Sequence, residues 1–355
     1  MSTVLILTVV VLVGVAIWQM GKIFEISQLG AKSKVHSGVA NDEDNNYNGL
    51  LIFLFLVFIY GITIFSFARY TKFLLPISAS EHGLDTDQLM WISMVIIMFV
   101  QTITQFLLHY FGYKYRGKTG QKALFFADND RLEFIWTIIP VIVLAGLILY
   151  GLYAWTNIMD INDEDDPLIV ELYAQQFNWT ARYGGEDNVL GEASVRLIDI
   201  NRANVLGLDE SDPYAEDDVI VKELHLPVGR KVNFYMRSQD VLHSAYMPHF
   251  RAQMNCVPGM VTQFSFTPTM TTEEMRLQPE VIEKVRRTNK IRAERAANGE
   301  PNSEPWEFDY LLLCNKICGK SHYNMQMKII VESEEDYNKW MAEQRSFIET
   351  VAPVQ

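Results

Sequence analysis

Cys314-Asn-Lys-Ile-Cys318-Gly-Lys-Ser-His322-Tyr-Asn-Met325 puts two thiols, an imidazole and a thioether into one short loop. Thiolate and thioether select copper over hard cations, and imidazole suits both copper and zinc. A symmetric site for two metal ions needs a second imidazole. His243, in Asp240-Val-Leu-His-Ser-Ala-Tyr-Met-Pro248, is the candidate, placed after a predicted strand and before a Pro-bounded turn. Two copper ions bridged by two thiolates can share one electron. Delocalisation spreads the geometric change over many bonds, and a fixed protein frame holds the ligands in place. The chemistry indicated is electron transfer. The same residues admit rivals. A structural zinc would close with Cys and His and leave the Met without a role. A Cys314–Cys318 disulfide would leave the His and Met spacing unexplained. A mononuclear copper site uses one Cys, not two.

The elements that must carry this loop come in two halves. The chain has 355 residues and a net charge of −13. Residues 1–156 hold 10 Lys/Arg and 10 Asp/Glu, and residues 157–355 hold 20 and 33, so all of the net charge lies in the second half. That half fits a basic protein partner and excludes nucleic acid, whose phosphates it would repel. Three cysteines are too few for a disulfide scaffold, and no Cys-x-x-Cys-His is present for covalent haem. Cys256, outside the loop, reads as an ordinary buried thiol.

The first half is built for lipid. Four apolar runs occur, at about Thr3–Met20, Tyr47–Phe67, Leu89–Phe111 and Phe134–Trp155. A crossing helix needs about 20 apolar residues. Tyr and Trp cluster near the run ends, as interfacial residues do. The segment Tyr113–Leu132 carries Lys114, Arg116, Lys118, Lys122 and Arg131, whereas Thr71–Gln88 carries only Lys72. The positive-inside rule puts the first of these loops in the cytoplasm and the second outside. The fourth helix then runs outward and delivers residues 157–355 to the outer face. Thr3–Met20 lacks a basic n-region and a clear cleavage site, so it is expected to stay as a helix with its N-terminus outside.

From Pro167 the pattern shifts to short β-type runs: Leu168–Ala174, Val219–Leu226, Lys231–Met236, Met260–Phe266, Phe308–Leu313 and Met327–Val331. Turn residues such as Pro227-Val-Gly229 and Pro258-Gly259 separate them, which predicts a β-sandwich. Glu334–Phe347 reads as a closing helix with Trp340 on its apolar face. Two insertions interrupt the strands. Asn201–Asp218 is an acidic loop, and Thr271–Asn302 contains a helical run at Glu280–Ala297 that serves as a solvated helix or as a docking element for another subunit.

The chain resembles subunit II of haem–copper cytochrome c oxidases over roughly residues 89–268 and 307–345. The resemblance rests on Glu133-Phe-Ile-Trp-Thr-Ile-Ile-Pro140, Gln176-Phe-Asn-Trp179, His243-Ser244, Val257-Pro258-Gly259 and the Cys314–Met325 loop. With the four apolar runs read as transmembrane helices, it implies that an all-β cupredoxin-like sandwich with a C-terminal helix follows them. Residues 1–70 would be an extra N-terminal transmembrane region and 71–156 a transmembrane hairpin. Residues 157–355 would be a periplasmic copper A domain with a helical insertion near 271–306. The implied ligands of a dinuclear copper A centre are His243, Cys314, the backbone carbonyl of Lys316, Cys318, His322 and Met325. The implied activity is that of a cytochrome-c oxidase, a proton-translocating oxidoreductase of a respiratory chain. Electrons would come from cytochrome c and pass to haem in subunit I, where oxygen is reduced to water and protons are pumped. Glu133 would stand at the mouth of a proton channel, with a plain helix-start carboxylate as its bland alternative. Phe177 and Trp179 would serve electron input.

Three positions depart from the family. Lys316 stands where a Glu usually reaches a magnesium shared with subunit I. An ammonium only donates, so that magnesium is in question while a backbone copper ligand survives. Phe177 replaces a common surface Trp, and Asn255 replaces a common Asp. Length and helix number look bacterial, with the protein multi-pass in the inner membrane. Other oxidase subunits, membrane lipid and a quinol:cytochrome c reductase in a supercomplex are the further partners the extra helices suggest. Rival functions are a quinol oxidase subunit, which lacks the copper ligands, a membrane-tethered copper-delivery protein, and a nitrous-oxide reductase-like enzyme. The last two have no need of Glu133-Phe-Ile-Trp and a helical hairpin.

Overall fold

The computed structural model of the protein describes residues 2–32, 41–159, 161, 166–301 and 303–351. Its apolar runs form helices α1 (Ser2–Lys32), α2 (Asp42–Tyr70), α3 (Glu81–Lys114) and α4 (Asp130–Met159). Three stretches, Asp42–Phe73, Glu81–Lys114 and Asp130–Met159, are long and apolar enough to cross a membrane, and none of their apolar windows is covered by protein. Side chains of this kind need lipid or partner helices as their solvent. The Asn129 carboxamide accepts from the Leu132 N–H at 3.0 Å and caps α4. Pro140 sits inside α4, where a membrane helix tolerates it.

The chain divides into two units, residues 1–65 with 100–128 and residues 66–99 with 129–355. In the first, the start of α2 meets the end of α3. Arg116 donates to Asn46 and the Thr119 N–H to Asp42, each at 2.7 Å. Gly49 is required there, because a Cβ would lie 2.8 Å from the Tyr113 ring.

The second unit holds a sandwich of two five-stranded sheets. One runs β3 (Val219–Val221), β2 (Asn178–Tyr183), β1 (Leu168–Gln175), β5 (Val232–Ser238), β8 (Thr262–Phe266). The other runs β4 (Leu224–Pro227), β10 (Gln326–Glu332), β9 (Tyr310–Cys314), β6 (His243–Met247), β7 (Ala252–Cys256). Inward residues such as Leu172, Phe234, Ala245, Leu312 and Ile329 are fully buried between them. Burial of apolar area on this scale is the main driving force for the fold.

Several expectations need correction. Val219–Leu226 is not one strand. It breaks at Lys222–Glu223, so that β3 edges one sheet and β4 edges the other. Lys222 turns aside there to donate to Thr180 Oγ1 at 2.6 Å. Strands β2, β6 and β7 are not among the expected runs, and His243, which follows β5 as expected, itself opens β6. The closing helix is shorter, α7 (Glu334–Ala342), and a separate turn, α8 (Phe347–Thr350), follows it. Trp340 on α7 stacks on His225, with ring centroids 3.9 Å apart. The acidic insertion is more than loop: its Leu206, Leu208 and Ala215 join Tyr173 and Phe347 in a second small core. The other insertion forms α5 (Thr272–Arg276) and α6 (Pro279–Ala297).

The segment between α2 and α3 is bound to the sandwich. The Ala79 N–H donates to His249 O at 2.7 Å, and Ala79 O accepts from the Thr269 N–H at 2.9 Å. Arg251 forks onto Asp87 at 2.7 Å and reaches Pro76 O at 2.6 Å. A buried, bidentate guanidinium of this kind is geometrically specific. It ties the first turns of α3 to the domain.

A buried ion network underlies the first sheet. Arg182 donates to Glu171 at 2.7 Å and to Asp218 at 2.8 Å, and Arg237 also reaches Glu171. Burial pushes the Asp218 carboxyl up to about 7, opposed by Arg182 and the Gly191 N–H. Removing one partner of such a network strands the other charges. Arg182→Met is therefore expected to destabilise the domain by about 3–5 kcal/mol. The raised value means the folded state binds the proton more tightly than the unfolded chain, so the loss should grow as pH rises through 7 and shrink toward pH 5. Thermal unfolding of the full-length chain in detergent at both pH values checks this. Equal losses at the two would count against it.

Candidate metal centre

The site is assembled by pairing two strands. β6 and β9 run antiparallel, with Ala245 opposite Cys314, which brings His243 and Cys314 to one end of the sheet. The Asn315 N–H donates to Ser244 O and the Cys314 N–H to Met325 O, each at 3.0 Å. The loop that follows β9 therefore leaves from Cys314 and returns at Met325, just before β10. Its return includes a short helical turn, His322–Asn324. Sequence proximity alone did not bring His243 in; the β6–β9 ladder does.

Within this frame the donor atoms face one another. His243 Nδ1 lies 3.8 Å from Cys314 Sγ, and His322 Nδ1 lies 3.6 Å from Cys318 Sγ. The two Sγ atoms are 3.9 Å apart, and Met325 Sδ is 3.9 Å from Cys318 Sγ. Lys316 contributes its backbone carbonyl, 3.2 Å from Cys314 Sγ, while its side chain is exposed. The six residues expected at the site from the sequence thus lie together. Both thiols are free, and their separation is far beyond a disulfide bond of about 2 Å. His243, Cys318 and Met325 are buried. Burial and then the Cys314 thiol beside it push Cys318 up to about 11. Two thiols, two Nδ1 atoms, a thioether and a carbonyl exceed the four ligands of a closed zinc site. The set fits soft metal ions.

The surroundings fix the ligands. His243 Nε2 bonds Asp240 Oδ1 at 2.8 Å, which leaves Nδ1 to face the sulfur. Asp240 also accepts from the Gln176 and Val241 N–H groups, each at 2.7 Å. Burial works against its charge, but the His243 bond and these two amides hold it below the ordinary carboxylate range. Asp240 was not singled out from the sequence, although a carboxylate three positions before a ligand His was the available signal. Gln176 donates to Cys318 O. Gly319, at φ +146, is needed where the loop passes Phe177, because a Cβ would lie 2.8 Å from that ring.

The remaining sequence candidates lie as follows. Phe177 is half-buried and packs against the domain core beside the loop. Trp179 is 1% exposed, so it offers no surface, and its ring meets that of His243 edge-on at 6.3 Å. Cys256 is fully buried opposite His243, with its thiol pushed up to about 12 by burial, as expected of an inert thiol. Glu133 is exposed in the first turn of α4.

Comparison with known proteins identifies the family. The family described as "Cytochrome C oxidase subunit II, transmembrane domain" matches residues 68–154, and "Cytochrome C oxidase subunit II, periplasmic domain" matches residues 168–274. The "Alternative cytochrome c oxidase subunit 2" of Bradyrhizobium diazoefficiens is 32% identical over 263 residues, covering 74% of this chain and 80% of that protein. The "Cytochrome c oxidase subunit 2" of Thermostichus vulcanus is 22% identical over 307 residues, covering 79% and 81%. A solved periplasmic domain of subunit II of cytochrome oxidase from Bradyrhizobium japonicum is 16% identical, with a TM-score of 0.29, over 49% of this chain and 91% of that one. With its apolar helices, outer sandwich and convergent His and Cys donors, the chain belongs to the cytochrome c oxidase subunit II family.

Proposed function

We propose that this chain is the electron-input subunit of a terminal respiratory oxidase, holding a dinuclear copper A centre on the periplasmic side of a bacterial inner membrane. It would take electrons from a cytochrome c and hand them to haem in subunit I, where oxygen is reduced to water with proton pumping. The observation that carries this is the ring of donors, in which both Nδ1 atoms and the Met325 thioether face a pair of free, unbonded thiols. The three apolar spans would cross the membrane with α1 as a fourth crossing, and charge counting sends the last one outward.

When bound, copper would supply a delocalised electron store that changes little on reduction. Cys314 and Cys318 would hold it through their thiolates. His243 and His322 would each bind at Nδ1, with Met325 and the Lys316 carbonyl as weaker ligands. Asp240 would orient His243, and Gly319 would let the loop close over Phe177. Trp179, buried against His243, would serve from beneath the centre, and Phe177 from its edge. The Lys316 ammonium can donate but not ligate a cation, so the carboxylate route to a magnesium shared with subunit I is missing. Glu133 would collect protons at the cytoplasmic start of α4. The acidic outer half would favour a basic cytochrome by long-range attraction.

Three outcomes check these roles in the purified oxidase. Cys318→Ser should abolish the near-infrared absorption of the delocalised pair, and a native spectrum would overturn the bridging assignment. Asp240→Asn removes the charge that steadies His243 and should weaken copper retention about tenfold in chelator competition, with the sandwich still folded. Copper retained at wild-type strength would remove Asp240 from the ligand frame. Glu133→Gln should slow proton uptake severalfold and leave reduction of the copper centre by cytochrome c untouched. Unchanged turnover would return Glu133 to a plain helix-start carboxylate.

A further inference from the structure

A groove of about 600 Å³ lies between α6, the segment after α2 and the outer face of β9. Its volume is that of a small-molecule site. Leu75, Ile77, Val281, Trp306, Leu311 and Leu313 make it mostly apolar. Three cations stand at it: Lys72, Lys284 and Arg287. Lys72 meets Glu283 at 3.9 Å. Among the described residues, Lys284 and Arg287 have no carboxylate within ion-pair distance. Lys284 lies over the Trp306 ring at 5.6 Å, and Arg287 over the Phe73 ring at 5.1 Å. Of the other acids lining the groove, Asp309 is engaged by Arg276 at 2.9 Å and by Lys328 at 3.5 Å. Glu280 is the remaining one.

The position of the groove is specific. Phe73 closes the stretch Asp42–Phe73 that contains an apolar span, six residues beyond the apolar run that ends at Phe67, so the groove lies close along the chain to a candidate crossing. Cations near the end of a crossing are the side chains that anionic lipid headgroups attract. The floor offers no backbone to a peptide, because β9 is already paired to β10 on one side and β6 on the other. Helix α6 lies outside the family-matched residues 168–274.

We propose that this groove binds an anionic phospholipid of the surrounding membrane, its acyl chain against Leu311 and Leu313 and its phosphate on Lys284 and Arg287. The lipid would seal α6 onto the sandwich and the membrane surface. This assignment does not depend on the metal centre.

The test uses the oxidase purified with its full-length chain, stripped of loosely held lipid and titrated with phosphatidylglycerol or phosphatidylcholine. Native mass spectrometry counts the lipid retained. One phosphatidylglycerol per complex is expected to be held in preference to phosphatidylcholine. The double variant K284Q/R287Q should lose it about thirtyfold more readily, at about 1 kcal/mol for each of the two cations near the surface. K284R should keep it, and Leu311→Trp, which fills the groove and leaves the cations, should lose it. Equal retention of the two lipids, or of phosphatidylglycerol in all variants, would overturn the proposal. So would release of a protein subunit from the variants at constant lipid count, which would make the occupant a protein.

Discussion

The antiparallel pairing of β6 with β9 is the constraint from which the site follows. It sets His243 beside Cys314 and passes the Asn315 amide to Ser244 O. A loop alone could bring Cys314, Cys318, His322 and Met325 near one another, but a flexible loop would rearrange with each change of ligand charge. Here both ends of the loop are tied, at Cys314 and at Met325, by one backbone hydrogen bond between them. The donors are preorganised by ladder hydrogen bonds that cost nothing further when a metal binds. A centre for rapid electron transfer needs that property, because any movement of ligands adds to the barrier.

The support extends outward in layers. Asp240 fixes the tautomer of His243 and is itself held by two backbone amides, one of them from Gln176. Gln176 also holds Cys318 O, so one residue braces opposite sides of the centre. Phe177 follows it directly and occupies the space that Gly319 leaves free. The Gln176-Phe-Asn-Trp179 segment thus serves first as a frame for the loop. Trp179 is buried beneath the donors and offers them an aromatic ring from within the domain rather than from its surface.

What the sequence disclosed follows from how local each signal is. The loop from Cys314 to Met325 was legible because its side-chain chemistry is contiguous. His243 was legible from residue type, yet the strand it opens was not, since His-Ser-Ala-Tyr-Met has weak alternation and ends at Pro248. The break in Val219–Leu226 was invisible because β-branched residues indicate a strand without saying which sheet it joins. The docking of residues 76–80 on the sandwich left no trace at all: it is made largely by backbone groups, and its side-chain anchor, Arg251, comes from far along the chain. The membrane runs were read easily, because about twenty apolar residues in succession suit little besides a bilayer.

Strand β9 links the two functional readings. Tyr310 and Leu312 point into the core on the face that ends at Cys314, and Leu311 and Leu313 point the other way into the groove beneath α6. Period-two alternation therefore turns one face of these five residues toward the core and the His and Cys donors and the other toward the groove. An insertion that covered the first face would have blocked the centre. Placed between β8 and β9, the α5–α6 segment covers only the second, where Leu311 and Leu313 would otherwise stand against water. The acidic insertion at the other sheet follows the same logic, with Leu206 and Leu208 closing over Tyr173. Both additions are tolerated because each brings its own apolar surface to an outer face and leaves the β6–β9 pairing intact.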